Sequence, residues 1–214
     1  MKAPVASHTF LDTYTRCPKA AFHRFIAKDL PYTETESMKW GNAVHKAMEL
    51  AINEAAPMPE GMAHFGKFIT ALGDNCKAEV SLGIDIEGNP VKFWAGDVFY
   101  RGKVDVIKVH GDAAVIVDWK TGKPREDRNE LERHAVLVRA HYPQISKVSG
   151  LYVWLKEDRP GKLYDVSRTA PILTNIKAIM RTVEQTIAAG AEFPAVDNPL
   201  CGWCAIKPCR YNPN

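Results

Sequence analysis

The stretch GKVDVIKVHGDAAVIVDWKTGK, residues 102–123, contains two strand-like runs separated by a Gly-Asp turn signal. Each run carries one acid, Asp105 in the first and Asp118 in the second, and Lys120 follows two positions later. Because successive strand residues point to opposite faces, Asp118 and Lys120 share one face and Trp119 lies on the other. If the runs pair as a hairpin, Asp105 joins them. Two carboxylates beside a lysine can hold a divalent cation that activates water against a phosphodiester.

The same residues also allow simpler interpretations. A strand-face ion pair between Asp118 and Lys120 needs no cation and is worth roughly 0–1 kcal/mol. His45, on a helix predicted over 37–55, is more often a structural helix histidine than a metal ligand when its local sequence is taken alone. The order of several motifs along the chain therefore has to decide between these interpretations and a catalytic site.

Regular patterns on both sides of the hairpin predict the rest of the fold. Helices are predicted over 8–29, with a break at Cys17-Pro18, and over 37–55, 128–142 and 172–189. Strands are predicted at 78–86, 90–98, 150–156 and 163–168, with Pro143 and Gly150 bracketing a connection. This order predicts an α/β fold, a mostly antiparallel meander flanked by helices, in a single domain over 1–214.

Charge and composition limit the class of protein. The net charge is +3 and 46% of the residues are hydrophobic, as in an ordinary soluble core. The N-terminus MKAPVASHTF lacks the apolar stretch of a signal peptide, and no apolar run is long enough for a bilayer, so we expect a cytoplasmic protein without membrane contact. Basic residues around the acidic pair predict a DNA-facing rim, although a solvated face is the alternative: Lys103, Lys123, Arg125 and Arg128.

Motifs spread over nearly the whole chain stand in a recognisable order. They are SHTFLDTYTRCPKAAFHRF (7–25), GNAVHKAMEL (41–50), RGKVDVI (101–107) and VDWKTGK (117–123). An isolated Asp-x-Lys is a weak signal, but the ordered set resembles the PD-(D/E)XK nuclease superfamily, and within it the RecB-like branch. The resemblance implies a restriction-endonuclease-like core with a central mixed sheet.

The resemblance also implies roles for the central residues. Asp105 and Asp118 would bind Mg²⁺ or Mn²⁺ together with the backbone carbonyl of Trp119, and His45 would complete the site through an imidazole nitrogen. Lys120 would orient the attacking water or stabilise charge on the transition state, an effect typically worth about 3–4 kcal/mol.

Three further residues are accessory candidates. Glu79 opens the first predicted strand and offers an additional acid. RecB-like nucleases commonly carry a Gln-x-x-x-Tyr helix after the lysine motif, whereas this chain has Glu130 and His134 in those places. A carboxylate accepts hydrogen bonds but cannot donate them as an amide does. Glu130 could lie near the metal or pair with an arginine, and a protonated His134 could contact phosphate.

The cysteines predict a second metal site. Cys201, Cys204 and Cys209 form C-x2-C-x4-C in an aperiodic tail, and clustered cysteines in a chain without a signal peptide suggest metal binding over disulfides. Cys17 is the natural fourth ligand, while Cys76 has no partner pattern. Some relatives in the RecB-like branch, including CRISPR-adaptation exonucleases and the AddB nuclease domain, place one cysteine before the core and three after it. That resemblance implies a [4Fe–4S] cluster joining the N-terminal helices (8–29) to the tail (193–214), with Zn²⁺ or no metal as alternatives.

Two functions remain from these patterns. The resemblance implies a metal-dependent nuclease, with exonuclease action on single-stranded DNA ends favoured over site-specific cutting. The alternative is a catalytically degenerate fold that binds DNA inside a recombination complex. A recombination or helicase partner and an oligomer are compatible with both, because the chain has no phosphate-binding loop of its own.

Overall fold

The computed structural model describes residues 1–31, 33–125 and 127–212, which divide into two compact units. The sheet unit comprises residues 34–172, and the terminal unit combines residues 1–33 with 173–214. The N-terminal helices and the cysteine-rich tail therefore fold together in one unit. The single nuclease domain over 1–214 stays a prediction. None of the helices in the described residues is both long and apolar enough to cross a membrane.

The terminal unit begins with two short helices, α1 (His8–Arg16) and α2 (Pro18–Ala21), followed by a π-helical turn over Phe22–Ala27. The Ser7 hydroxyl caps α1 by accepting a hydrogen bond from the backbone N–H of Phe10 at 3.3 Å. Pro18 occupies the first turn of α2, where its missing N–H costs nothing. This confirms the predicted junction at Cys17-Pro18.

The sheet unit contains the remaining elements, and its last helix continues into the terminal unit. They are α3 (Glu36–Glu54), α4 (Gly66–Leu72), β1 (Cys76–Ile84), β2 (Pro90–Val91), β3 (Tyr100–His110), β4 (Ala113–Lys120), α5 (Asn129–His141), β5 (Lys147–Trp154), β6 (Arg159–Pro160), β7 (Tyr164–Asp165) and α6 (Thr169–Ala188). Short 3-10 turns cover Glu60–Phe65, Leu155–Glu157 and, in the terminal unit, Cys201–Trp203.

One mixed sheet of seven strands organises this unit, in the order β2-β1-β3-β4-β5-β6 with β7 also paired to β5. β1, β3 and β4 are antiparallel neighbours, as the meander predicted, while β4 and β5 run parallel. A parallel pair needs a crossover, and α5 supplies it. The predicted α/β class with a central mixed sheet flanked by helices is confirmed.

Helices cover both faces of the sheet. On one face, Val44 and Met48 of α3 form a buried cluster with the sheet residues Val106, Val117 and Trp119. On the other face lies α5. Two glycines permit its close approach, because a Cβ at Gly102 would lie 3.0 Å from Leu137 and a Cβ at Gly150 would lie 3.1 Å from Leu131. The sheet is thus buried on both sides, as a sheet with a parallel pair requires.

Two details of the predicted strands were wrong. Only Pro90–Val91 of the run 90–98 is a strand, and the rest forms turns through hydrogen bonds from Ala95 N to Lys92 O and from Val98 N to Ala95 O. Gly150 lies inside β5 and ends no connection. Gly150 instead permits close packing against α5. A glycine in the sequence alone does not show whether it serves packing or a turn.

Candidate metal centre

The backbone ladder of the sheet opens around Asp105. The registered pairs of β3 with β4 begin at Val106–Val117, and those of β3 with β1 flank Asp105 at Ala78–Val106 and Val80–Val104. Continuing the same register places Asp105 between Glu79 on one side and Asp118 on the other. Asp105 fills the opening with its side chain, since its Oδ2 accepts a hydrogen bond from the backbone N–H of Trp119 at 2.8 Å.

His45 of α3 meets two carboxylates at this opening. Its Nδ1 lies 3.3 Å from Oε1 of Glu79 and 3.4 Å from Oδ1 of Asp105. One ligand atom from each of the three residues lies within 4.8 Å of the others, a spacing that allows one ion to bind all of them. Among the described residues this is the one such group of histidine, cysteine and acidic side chains.

The backbone carbonyl of Trp119 contacts the other ring nitrogen of His45. Nε2 of His45 donates a hydrogen bond to Trp119 O at 3.0 Å, while the indole is buried in the α3 cluster. An imidazole and two carboxylates are a nitrogen-and-oxygen ligand set that suits Mn²⁺ and Mg²⁺. The donor chemistry therefore fits the divalent ion that the sequence predicted.

Glu79 has a strained backbone conformation that its neighbours hold in place. Glu79 has a φ of +55°, in the left-handed region that costs a residue with a side chain about 1–2 kcal/mol. The adjacent residue Ala78 is anchored by Asn53 of α3, whose amide accepts from Ala78 N at 2.9 Å and donates to Ala78 O at 3.0 Å. Strain of this kind persists where the surrounding structure imposes it, and it is frequent at functional sites.

The two carboxylates change the protonation of His45. Burial lowers the pKa of His45, but hydrogen bonds and charge from Asp105 and Glu79 outweigh it and raise the pKa to about 10. Burial likewise raises the pKa of Glu79, and the hydrogen bonds from His45 and Lys103 more than reverse this, so that the pKa is lowered. Without a metal, a protonated imidazole occupies the position that a cation would take, and binding must displace that proton.

Asp118 and Lys120 belong to a neighbouring cluster on the α5 side. Nζ of Lys120 lies 2.7 Å from Oδ1 of Asp118 and 2.6 Å from Oε2 of Glu130. Tyr152, the parallel-strand partner of Asp118, places its ring 5.4 Å from the same ammonium. Asp118 is not among the residues grouped with His45. Asp118 and Lys120 thus form the ion pair of the simpler interpretation, and they are also the two residues that were predicted to act in catalysis.

Negative charges outnumber positive charges in the metal site and the neighbouring Asp118–Lys120 cluster taken together. Burial raises the pKa of Asp118, and the charges of Asp105 and Glu130 raise it further. Burial lowers the pKa of Lys120, but Asp118 and Glu130 outweigh it, so that the pKa is raised and the ammonium stays charged. Four carboxylates face two lysines and His45 here. A bound divalent cation would reduce the repulsion among these carboxylates, which is part of what raises the pKa of Asp118.

The other accessory and rim residues lie in different surroundings. His134 is buried, and burial lowers its pKa, so it contributes no positive charge for a phosphate. Lys103 reaches Glu79 at 3.0 Å. Arg125 and Arg128 are exposed but paired with Asp127 at 3.4 Å and Glu132 at 2.8 Å, while Lys123 is exposed.

Sequence reasoning missed two residues of this centre. Tyr152 has no motif of its own, and its place next to Asp118 depends on the parallel pairing of β4 with β5. Asn53 was absent from the predicted site although it anchors the backbone beside Glu79. The sequence signal for Asn53 was only an amide side chain next to the apolar stripe of α3.

Four of the five cysteines surround one cavity in the terminal unit. Cys17, at the junction of α1 and α2, and Cys201, Cys204 and Cys209 of the tail all line a space of about 300 Å³. All five cysteines are free thiols, and Cys76 lies apart at the start of β1. The cavity therefore collects the four cysteines that the spacing pattern grouped.

Comparison with known families identifies the fold. A family model described as the PD-(D/E)XK nuclease superfamily matches residues 67–209. The chain belongs to the PD-(D/E)XK nuclease superfamily. The matched range includes Glu79, Asp105, Asp118 and Lys120. PD-(D/E)XK nucleases use divalent metals and act on nucleic acid, which agrees with the ligand set at His45 and its neighbours.

Two further comparisons do not bear on this assignment. No curated protein sequence matches the chain. The crystal structure of SSO0001 is similar with a TM-score of 0.45 and 19% sequence identity, over 95% of this chain and 84% of that chain. The assignment to the PD-(D/E)XK superfamily therefore depends on the family model.

Proposed function

We propose that this protein is a divalent-metal-dependent DNA exonuclease of the RecB-like branch, acting on single-stranded ends. The observation that carries the proposal is the convergence of His45, Glu79 and Asp105 beside the Asp118–Lys120 pair. A structural ion pair alone would need no histidine and no second and third carboxylate at the same opening of the sheet. We also propose that the nuclease is cytoplasmic.

The chain's own residues divide the work of hydrolysis. His45, Glu79 and Asp105, with the Trp119 carbonyl as a further expected ligand, would hold a divalent ion, and such an ion would supply positive charge for the phosphate and lower the pKa of water. Lys120, kept protonated by its two carboxylate neighbours, orients the incoming water and stabilises the additional negative charge at phosphorus. Water adds its oxygen to phosphorus and the 3′ oxygen leaves with a proton, giving a 5′-phosphate and a 3′-hydroxyl.

We further propose that the four-cysteine cavity holds a [4Fe–4S] cluster. Four tetrahedral thiolates around one zinc ion would lie about 3.8 Å apart, given a Zn–S distance of about 2.3 Å. Within the described part of the chain, no three of these sulfur atoms lie within 4.8 Å of one another. The 300 Å³ cavity lined by all four cysteines has room for an all-thiolate group of this size. Iron and acid-labile sulfide in anaerobically purified protein test this, and stoichiometric zinc without sulfide contradicts it.

A cleavage assay tests the nuclease. Labelled linear and circular single-stranded DNA are incubated with Mn²⁺ and wild type, Asp118→Ala or Asp74→Ala. Asp74 is an exposed acid outside the centre and serves as the matched control. We expect wild type and Asp74→Ala to degrade linear DNA alone, and Asp118→Ala to be at least about 100-fold slower. Equal cleavage by Asp118→Ala excludes the assigned centre, and cleavage of circles excludes a pure exonuclease.

One observation favours a second function. Glu130 stands where RecB-like relatives carry glutamine, and its carboxylate takes up part of the charge of Lys120. A centre with this added negative charge could bind DNA without cutting it, as a subunit of a recombination complex. DNA binding without cleavage in either Mg²⁺ or Mn²⁺ would support that function over the first.

A further inference from the structure

Trp94 is an unusually exposed aromatic in the loop between β2 and β3. Its side chain is 78% exposed, although burial of apolar area of this size is normally favourable. The guanidinium of Arg101 lies 4.1 Å from the centre of the indole and 4.8 Å from that of Phe93. Phe93 meets Trp94 edge-on, with ring centres 4.9 Å apart. We call Phe93, Trp94 and Arg101 the aromatic platform.

Backbone contacts fix the platform in place. Arg101 donates a hydrogen bond to the carbonyl of Phe93 at 3.2 Å, and the turn hydrogen bond from Ala95 N to Lys92 O closes the loop. Gly83 of β1 lets the loop approach, since a Cβ there would lie 3.3 Å from Lys92 O. A ring that is held in position loses little conformational entropy when a ligand stacks on it.

A row of cations connects the platform with the metal centre. Arg101 and Lys103 are two residues apart on β3, so they share a side of the strand and their Cα atoms are about 7 Å apart. Nζ of Lys103 lies 3.0 Å from Oε2 of Glu79, which itself contacts His45 at 3.3 Å. Lys103 therefore connects the platform with Glu79 of the proposed metal site, and Asp105 of that site lies two positions beyond Lys103 on β3.

We propose that the aromatic platform binds the substrate strand next to the bond that is cut, with Trp94 stacked on an unpaired base and Arg101 and Lys103 facing phosphates. The inference depends on the proposed nuclease function and specifies its substrate as single-stranded. A base can stack on an exposed indole only when its own face is free, and duplex pairing hides that face. The neighbouring cations match a phosphate backbone and disfavour an apolar protein partner.

Binding measured without metal tests the platform separately from catalysis. Fluorescence anisotropy in EDTA compares a single-stranded oligonucleotide with a blunt duplex for wild type, Trp94→Ala, Trp94→Phe and Leu163→Ala. Leu163 is 59% exposed in the same unit and is the control for lost apolar surface. We expect Trp94→Ala to bind the single strand about 5- to 150-fold more weakly, the range for one stacked base, with the duplex nearly unchanged. Trp94→Phe and Leu163→Ala should stay close to wild type.

Salt dependence tests the cation of the platform. Arg101→Ala should reduce the slope of log K against log salt by about 0.7 for a single strand, and Arg101→Lys should restore it. Unchanged single-strand affinity in Trp94→Ala, equal losses on both DNAs, or an unchanged slope in Arg101→Ala each overturn the inference. Wild type that binds but never cuts contradicts the nuclease proposal and leaves the platform standing. Normal cleavage with unchanged KM in Trp94→Ala contradicts the platform and leaves the nuclease proposal standing.

Discussion

The Nζ of Lys120 lies 2.6 Å from the carboxylate of Glu130. Glu130→Gln keeps an acceptor for Lys120 and removes one negative charge that an incoming phosphate must approach. Such a charge is worth about 1 kcal/mol at 4 Å in water. We therefore expect kcat/KM on single-stranded DNA to rise about fivefold.

The matched control for this substitution is Glu132→Gln, two residues further along α5, where the partner is the exposed Arg128. It should leave kcat/KM unchanged. A tenfold fall in Glu130→Gln would show that the carboxylate itself is required, for instance as an additional ligand.

Lys120→Ala should separate binding from turnover. The variant loses the ammonium that stabilises charge at phosphorus, so single-turnover cleavage should fall about 10²- to 10³-fold while DNA affinity changes little. Its melting temperature should also fall, because Asp118 stays buried without its cation. Lys147→Ala, exposed at the opposite end of the β4–β5 pair, is the control. Retained turnover in Lys120→Ala would reassign the role of the lysine.

Metal binding should release a proton from His45. The pKa of His45 is raised to about 10 in the metal-free protein, so the imidazole is protonated at neutral pH and must lose its proton to bind an ion. The apparent Mn²⁺ affinity should rise by up to about tenfold per pH unit below that pKa and level off above it. Calorimetry in two buffers of different ionisation enthalpy measures the released proton.

The control for proton release is His110→Gln, which alters an exposed histidine in the sheet unit. It should release the same proton as wild type, whereas His45→Gln should not. A binding enthalpy independent of the buffer in wild type would disprove the proposed displacement.

Glu79→Gly and Glu79→Ala should differ in an unusual direction. Glycine inside a strand normally destabilises a protein relative to alanine by about 0.5–1 kcal/mol. At the φ of +55° found at Glu79, alanine instead carries a cost of about 1–2 kcal/mol that glycine avoids. We expect the glycine variant to have the larger free energy of unfolding in denaturant titrations. Both variants lack the carboxylate, so both should bind Mn²⁺ more weakly, and a more stable alanine variant would contradict the strain.

Cys201→Ser should lower stability before it affects chemistry. The proposed cluster ties Cys17 to the tail across most of the chain, and such a link restricts the unfolded chain strongly. The melting temperature should fall with loss of the visible absorbance, while cleavage by the remaining folded protein persists. Cys76→Ser is the control outside the cavity. An unchanged melting temperature in Cys201→Ser would count against the structural role.

The sequence predicted most elements because their signals are local. The α3 stripe, the break at Pro18 and the opposite faces of Asp118 and Trp119 all depend on periodicity or on a single proline. The run 90–98 misled the same reasoning, because it is rich in strand-favouring residues while two turn hydrogen bonds bend the chain. In the resulting turn the Trp94 side chain is exposed. A strand at this position would instead have paired the backbone of Trp94 with a neighbouring strand.

The chain by itself determined which residue types stand near one another along the backbone: the two acids of the hairpin, the lysine two positions on, and the cysteines of the tail. Only the tertiary structure decided that Glu79 meets His45 and that Glu130 holds Lys120. It also decided that Trp94 stacks on Arg101. Side-chain direction repeats over two to four residues and is therefore readable locally. Strand register, helix docking and loop closure depend on contacts between distant residues, and these contacts create the opening in the sheet where the charged groups converge.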